Sequence, residues 1–259
     1  MGVLEGKTGL IFGVANDRSI AWHIAKNAIE HGAVCAFTHL PGEKMTSRVE
    51  KALSRLPANA PWTYPCDASK DADLDALFAA VNAEFGSIDF VVHSIAFADR
   101  EYLKPGTFAS TPRAVFQQAL DISAYTLIAI THRARSMMPT GGSVLALSYF
   151  GAEKAASGYN VMGVAKSALE SSVRYLAAEL GKTGIRVNAL SAGPCRTLSA
   201  MAVGGIDTIL DKMETSAPLR RNIETNEVGK AAVYLLSDLS SAVTGEVHHV
   251  DAGFHAVVM

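Results

Sequence analysis

The sequence predicts an α/β fold: a single doubly wound domain over residues 1–259, with a seven-stranded parallel sheet flanked by helices on both faces. Short apolar runs and helical patterns alternate along the whole chain, which is the order of a sheet wound through crossover helices. The runs are continuously apolar rather than alternating, as strands buried on both faces are. The composition, 49% apolar and 19% charged, suits a core covered from two sides.

The elements follow in order. Thr8 to Gly13 reads as a first strand, followed by a helix from about Ser19 to His31 that Gly32 stops. Ala33 to Thr38 is a second strand, and residues 43–56 form a polar-faced helix closed by Pro57 to Pro61. Trp62 to Pro65 is a third strand. The helix from Asp71 to Phe85 opens on acidic residues that suit its positive end. Ile88 to His93 is a fourth strand, and a longer polar passage, Ala98 to Pro112, leads to a helix ending near Met138 at Pro139. A strand over 143–148, a helix from 159 to about Leu180 and a strand from Arg186 to Leu190 come next. A mixed segment over 195–217 precedes a helix at about 225–236 and a last strand, Val247 to Val250.

Net charge is −2, with no basic block, so nucleic acid is not an expected partner. The odd set of cysteines, Cys35, Cys66 and Cys195, lacks CxxC spacing, and a reducing compartment is the simplest reading. No apolar leader opens the chain, Gly6 stands where a myristoylation pattern needs Ser or Thr, and no apolar run approaches about 18 residues. The expectation is a soluble, cytoplasmic protein without membrane contact.

In an open α/β sheet a dinucleotide lies across the carboxyl ends of the strands, its phosphates at a helix N-terminus. Gly13 and Ser19 bracket the first strand–helix turn, although the three-glycine fingerprint is absent. The bland alternative is an ordinary turn with Ser19 as N-cap. Asp67 and Ala68 follow the third strand, placing a carboxylate where an adenine amino group could donate to it. Ser94, Ile95 and Ala96 follow the fourth and allow close backbone approach. The second strand ends Thr38-His39-Leu40, without an acid for a ribose 2′-hydroxyl or an adjacent Arg for a 2′-phosphate. NADH is expected in preference to NADPH.

Chemistry is expected where Ser143 to Ser148 ends and the 159 helix begins. Tyr159 and Lys166 lie two helical turns apart, so they share a face at roughly 10 Å along the axis. A phenol and an ammonium there grip a small ligand between them, and the ammonium is expected to lower the phenol pKa. The bland alternative is a core-edge aromatic and a solvated lysine.

Together these residues resemble the short-chain dehydrogenase/reductase superfamily, with its Rossmann-like fold. That superfamily usually has tyrosine four residues before the lysine, where Met162 stands here. Tyr159 at minus seven, with Tyr149 ten residues upstream of it, resembles the bacterial enoyl-acyl-carrier-protein reductases of fatty-acid synthesis. The similarity extends through Gly13 and Ser19-Ile20, through His93-Ser94-Ile95-Ala96-Phe97-Ala98, and through Tyr159 to Gly163. It continues through Ser191 to Thr197 and Gly245 to Asp251.

The resemblance implies reduction of a trans-2-enoyl thioester, carried on acyl carrier protein, by NADH. The alternatives are a ketone or alcohol reductase of the same superfamily, which would need tyrosine at 162, and a non-catalytic NAD-binding sensor. The resemblance makes Tyr159 the hydrogen-bond donor to the thioester oxygen and Lys166 the ligand of the nicotinamide ribose. Tyr149 and Ala98 would line the acyl site. Cys195 and Thr197 would bind the carboxamide, with Leu198 and Ser199 continuing that cofactor loop, and Leu40 would lie near the adenosine. Residues 195–217 would form a substrate lid with a Gly204-Gly205 hinge, and the helices at 112–138 and 159–181 would build a homotetramer. Ala165, Ala168, Ala177 and Ala178 would permit close helix approach there.

Other signals are read as structural. Asp71, Asp73 and Asp75 mimic a calcium loop but lack its glycine and final glutamate. His248 and His249 point to opposite faces of a strand, so no metal is expected. Cys195 is read as a buried small residue. Lys212, Arg220 and Arg221 near the lid are read as ordinary surface charge rather than a carrier-protein contact.

Overall fold

A computed structural model describes residues 2–57, 61–197, 200–202 and 206–257. The strands are β1 (Thr8–Phe12), β2 (Val34–His39), β3 (Thr63–Pro65), β4 (Phe90–His93), β5 (Gly142–Ser148), β6 (Ile185–Ala192) and β7 (Val247–Val250). All pair in parallel, in the order β3-β2-β1-β4-β5-β6-β7. The order reverses between β1 and β4, which makes that junction the topological switch point of the sheet.

Helices α1 (Ile20–Glu30), α2 (Glu43–Leu53) and α8 (Thr225–Leu236) cover one face. The other face carries α3 (Asp71–Phe85), α5 (Thr126–Ala134) and α6 (Asn160–Leu180). Side chains of β1 show why both faces must be apolar. Ile11 points into the first layer and its neighbours Leu10 and Phe12 into the second, and all three are buried.

Several boundaries move, among them the end of α2, at Leu53 rather than 56, and two with a visible cause. Strand β4 begins at Phe90 rather than Ile88, because the Ile88 N–H donates to the Met137 carbonyl oxygen, outside the ladder. Strand β6 runs on to Ala192, because Ser191 and Ala192 pair with His249 and Val250 of the last strand. The expected long helix to Met138 is α4 (Arg113–Leu120), a π turn over Asp121–Tyr125, α5, and a 3₁₀ turn over Arg135–Met137. The mixed segment contains α7 (Ile206–Ser216), whose Leu210 and Met213 are buried. No helix among the described residues is long and apolar enough to cross a membrane.

Candidate active site

The strands end nearly level, Phe12 beside Thr38 and His93, and Ser148 beside Ser191, so their loops share one edge. Gly13 turns the chain out of β1 with φ +100°, and a Cβ there would lie 2.0 Å from the Ser94 carbonyl oxygen. Both the left-handed backbone and the contact exclude any side chain. Ser19 holds the N-cap position but makes no capping bond. Its Oγ instead accepts from the Ala15 and Asn16 N–H groups, at 3.1 Å each, which folds the turn. The positive end of α1 is therefore left without a side-chain cap at the edge where an anion would meet it.

Ile20 and Ile95 are half-buried against the two core layers, Ala68 packs against the same layer as Ile95, and Leu40 projects from the end of β2 with 52% exposure. Asp67 is less free than expected. Its Oδ1 accepts from the Ser69 hydroxyl at 2.7 Å, and Lys70 Nζ lies 3.2 Å from Oδ2, so the carboxyl is held below its usual pKa. After β6, Cys195 and Thr197 are both buried. Burial pushes the Cys195 thiol up to about 11, the inert state expected of it. A cavity of about 330 Å³ opens between this loop and the α1 turn, lined by Arg18, His23, Pro194, Cys195 and Arg196. A glycine turn with no room for a side chain, an uncapped helix and this cavity fit a dinucleotide. Leu198, Ser199 and the Gly204-Gly205 pair lie outside the described residues.

At the end of β5 the two tyrosines meet. The rings of Tyr149 and Tyr159 stand edge to face, centroids 4.8 Å apart and planes at 65°. Gly151 makes this possible, since a Cβ there would fall 2.4 Å from Tyr159 Cδ1 and 3.1 Å from Tyr149 Cδ1. Tyr159 packs on an apolar cluster that includes Ala98, Leu103, Val161 and Met162. Lys166 is only 6% exposed, and its Nζ donates to the Leu147 carbonyl oxygen at 2.5 Å.

One expectation is corrected here. Burial, then the nearby Tyr149 and Glu170, raise the Tyr159 pKa rather than lowering it. Burial also brings Lys166 down to about 8, with Glu170 opposing that fall. Desolvation is the largest cause for both groups. Tyr159 is thus a neutral hydrogen-bond donor, not a poised acid.

Several supporting residues escaped the sequence reading. Asn160 adopts a φ of +45° and donates to the carbonyl oxygens of Tyr102 and Lys104, at 2.8 Å each, pinning the polar loop beside Tyr159. An asparagine directly after the tyrosine, at a helix start, was the available signal. Ser123, in the π turn, accepts from the Phe97 N–H at 3.0 Å and so holds the loop bearing Ile95 and Ala98. His93 is fully buried, its Nε2 2.8 Å from Thr126 Oγ1, and is brought down to about 3 by burial and by Lys166. Glu170 Oε1 accepts from Ser148 Oγ at 2.5 Å, with both residues buried. Nothing in the sequence pattern distinguished Ser123, His93 or Glu170 from ordinary polar positions.

The discounted groups lie in other contacts. Asp71 and Asp75 pair with Arg133, and Asp73 accepts from the Asp67 N–H. His248 faces Tyr234, whereas His249 stacks on His255 and contacts Glu153. Arg221 pairs with Glu227.

A family model described as Enoyl-(Acyl carrier protein) reductase matches residues 13–255. Enoyl-[acyl-carrier-protein] reductase [NADH] 1 of Rhizobium meliloti is 52% identical over 258 residues, spanning 100% of this chain and 93% of that protein. Enoyl-[acyl-carrier-protein] reductase [NADPH] FabI of Staphylococcus aureus is 50% identical over 254 residues, 98% of each. The crystal structure of the Bacillus cereus enoyl-acyl carrier protein reductase with NADP+ and indole naphthyridinone superimposes with a TM-score of 0.97. It is 47% identical and covers 100% of both chains.

Proposed function

The chain belongs to the enoyl-[acyl-carrier-protein] reductase family, and from that premise we infer that it reduces trans-2-enoyl thioesters on acyl carrier protein with NADH, in fatty-acid biosynthesis. The observation that carries the reading is the pair of tyrosine rings in contact at the head of the helix that bears Lys166. A ketone reductase of the same superfamily would need tyrosine where Met162 stands.

When bound, NADH would supply a hydride to the β-carbon of the enoyl group, and the resulting enolate would take a proton from solvent at the α-carbon. The Tyr159 phenol would donate a hydrogen bond to the thioester oxygen as negative charge gathers there, and its raised pKa suits a donor that keeps its proton. Tyr149 fixes the Tyr159 ring by edge-to-face contact and lines the acyl site with Ala98. The Lys166 amine holds the nicotinamide ribose hydroxyls. Gly13, Ser19 and Ile20 receive the pyrophosphate, and Leu40, Asp67 and Ala68 lie along the adenosine. Ile95, Cys195 and Thr197 would hold the nicotinamide end, and the resemblance assigns Leu198 and Ser199, outside the described residues, to the same end.

The preference for NADH over NADPH is supported by the exposed Leu40 at the end of β2, which offers no charge to a 2′-phosphate. The proposed unit is one domain with a lid at about 195–217, in a cytoplasmic homotetramer. Tyr125, Ile128 and Tyr175 stand exposed on the helices assigned to its interfaces and support that assembly. Purified protein should consume NADH when given crotonyl-CoA and not when given a 3-ketoacyl thioester. The reverse selectivity would overturn the reading.

A further inference from the structure

Lys166 has to remain charged in a place that strips its water away, and the structure shows one acidic group that favours this. Glu170 follows Lys166 by four residues on α6, so the two share a face one turn apart. Each is 6% exposed. Two consecutive residues of β5 hold them: the Leu147 carbonyl oxygen accepts from Lys166 Nζ, and the Ser148 hydroxyl donates to Glu170 Oε1, both at 2.5 Å. Burial, the largest influence, raises the Glu170 pKa above the usual carboxylate value; the Ser148 hydroxyl opposes that rise and fixes where the carboxylate points.

The other titratable groups around this pair do not replace it. From β4, His93 faces Lys166 but is buried and neutral, adding no charge. Glu153, from the loop after β5, faces Glu170, but its Oε1 is engaged by His249 of β7 at 2.6 Å. Arg174, one turn further along α6, faces Glu170 and favours its ionised form. The phenols of Tyr149 and Tyr159 carry no charge in their protonated state.

Resting on the reaction assigned above, we propose that Glu170 is a positioning residue: locked by Ser148, its carboxylate keeps the Lys166 amine charged for the ribose and the Tyr159 phenol protonated for the thioester oxygen. A negative charge acts on these two groups in the same sense, since each is held in its proton-bearing form. The carboxylate thus opposes the effect of burial on Lys166 and adds to it on Tyr159, where burial and Tyr149 are the larger causes.

The test is Glu170→Gln, whose amide oxygen still accepts from Ser148 while the charge is removed. NADH affinity is measured by fluorescence from about pH 6.5 to about pH 9.5, with no thioester present, and kcat/KM for crotonyl-CoA over the same range. Wild-type affinity should fall as Lys166 loses its proton, and in E170Q that fall should begin about one pH unit lower. Near pH 6.5 the two proteins should agree within about twofold, and near pH 9 the variant should bind about tenfold more weakly. An alkaline limb that stays in place, or an equal loss at every pH, overturns the proposal. If E170Q does not fold, Glu170→Asp draws the charge back by one methylene and should move the limb the same way by less. An unmoved limb there also overturns it. A wild-type protein that binds NADH but ignores crotonyl-CoA would instead refute the assigned reaction and leave the affinity profile to decide on Glu170.

Discussion

At the end of β1 the chain offers Gly13 pressed against the Ser94 carbonyl and a helix start with no side-chain cap. At the end of β5 it offers two tyrosines, a lysine and a glutamate, all withdrawn from water to differing degrees. The first region binds by shape and backbone dipoles, and nothing in its turn has to change protonation state. The second works through groups whose charge depends on burial. The contrast teaches that damage at the cofactor turn should be steric and independent of pH, whereas damage to the charge balance around Lys166 should depend on pH.

The largest effect expected is at the catalytic end. Tyr159→Phe removes the donor to the developing oxyanion and should lower kcat about 10²–10³-fold. NADH affinity should stay within about twofold, because the phenol is not assigned to the cofactor. The loss should be the same across the neutral range, since Tyr159 is held protonated there. Steady-state kinetics with crotonyl-CoA measure it, and a loss that vanishes at high pH would show that the phenol titrates in that range rather than being held protonated.

Next comes the cofactor turn. Gly13→Ala forces a side chain into a left-handed backbone and against a carbonyl oxygen 2.0 Å away. Strain of this kind costs about 1–3 kcal/mol before the contact is relieved. Thermal unfolding should show a destabilised protein, and NADH titration should show affinity reduced about tenfold or more at every pH tested. An alanine variant that keeps wild-type affinity would mean that the turn does not receive the phosphates.

The smallest effect sharpens the same contrast at the far end of the edge. Leu40→Arg places a cation where the 2′-phosphate of NADPH would lie, on a residue 52% exposed. An exposed ion pair is worth about 0.2–1 kcal/mol, so preference should move toward NADPH by about two- to fivefold. The shift should fade as salt is raised. Comparing kcat/KM for the two cofactors at low and high ionic strength measures both parts.

The fold was largely legible along the chain because its signals are local. The apolar runs that became β1, β2 and β5, and the acidic start of α3 at Asp71, need no knowledge of distant residues. The π turn at Asp121–Tyr125 was not legible, because the pattern through it stays helical and its use, Ser123 holding Phe97, spans 26 residues. In the site, Tyr159 and Lys166 were legible from helical spacing, and Tyr149 from its place after a strand. Glu170 and Ser148 were not, because a glutamate in a helix is ordinarily solvated and only the packed strand beside it makes it otherwise.

By itself the sequence determined the order of strands and helices, the glycine at the first turn, and the two-turn register of Tyr159 and Lys166. Each follows from the periodicity of side chains along a regular backbone, which neighbours in sequence dictate. Only the tertiary structure decided that Tyr159 stays protonated, that Lys166 lies back on Leu147, and that Glu170 is buried behind both. Protonation depends on how much water the surrounding elements exclude, and that is set when β5, α6 and the loops between them pack together.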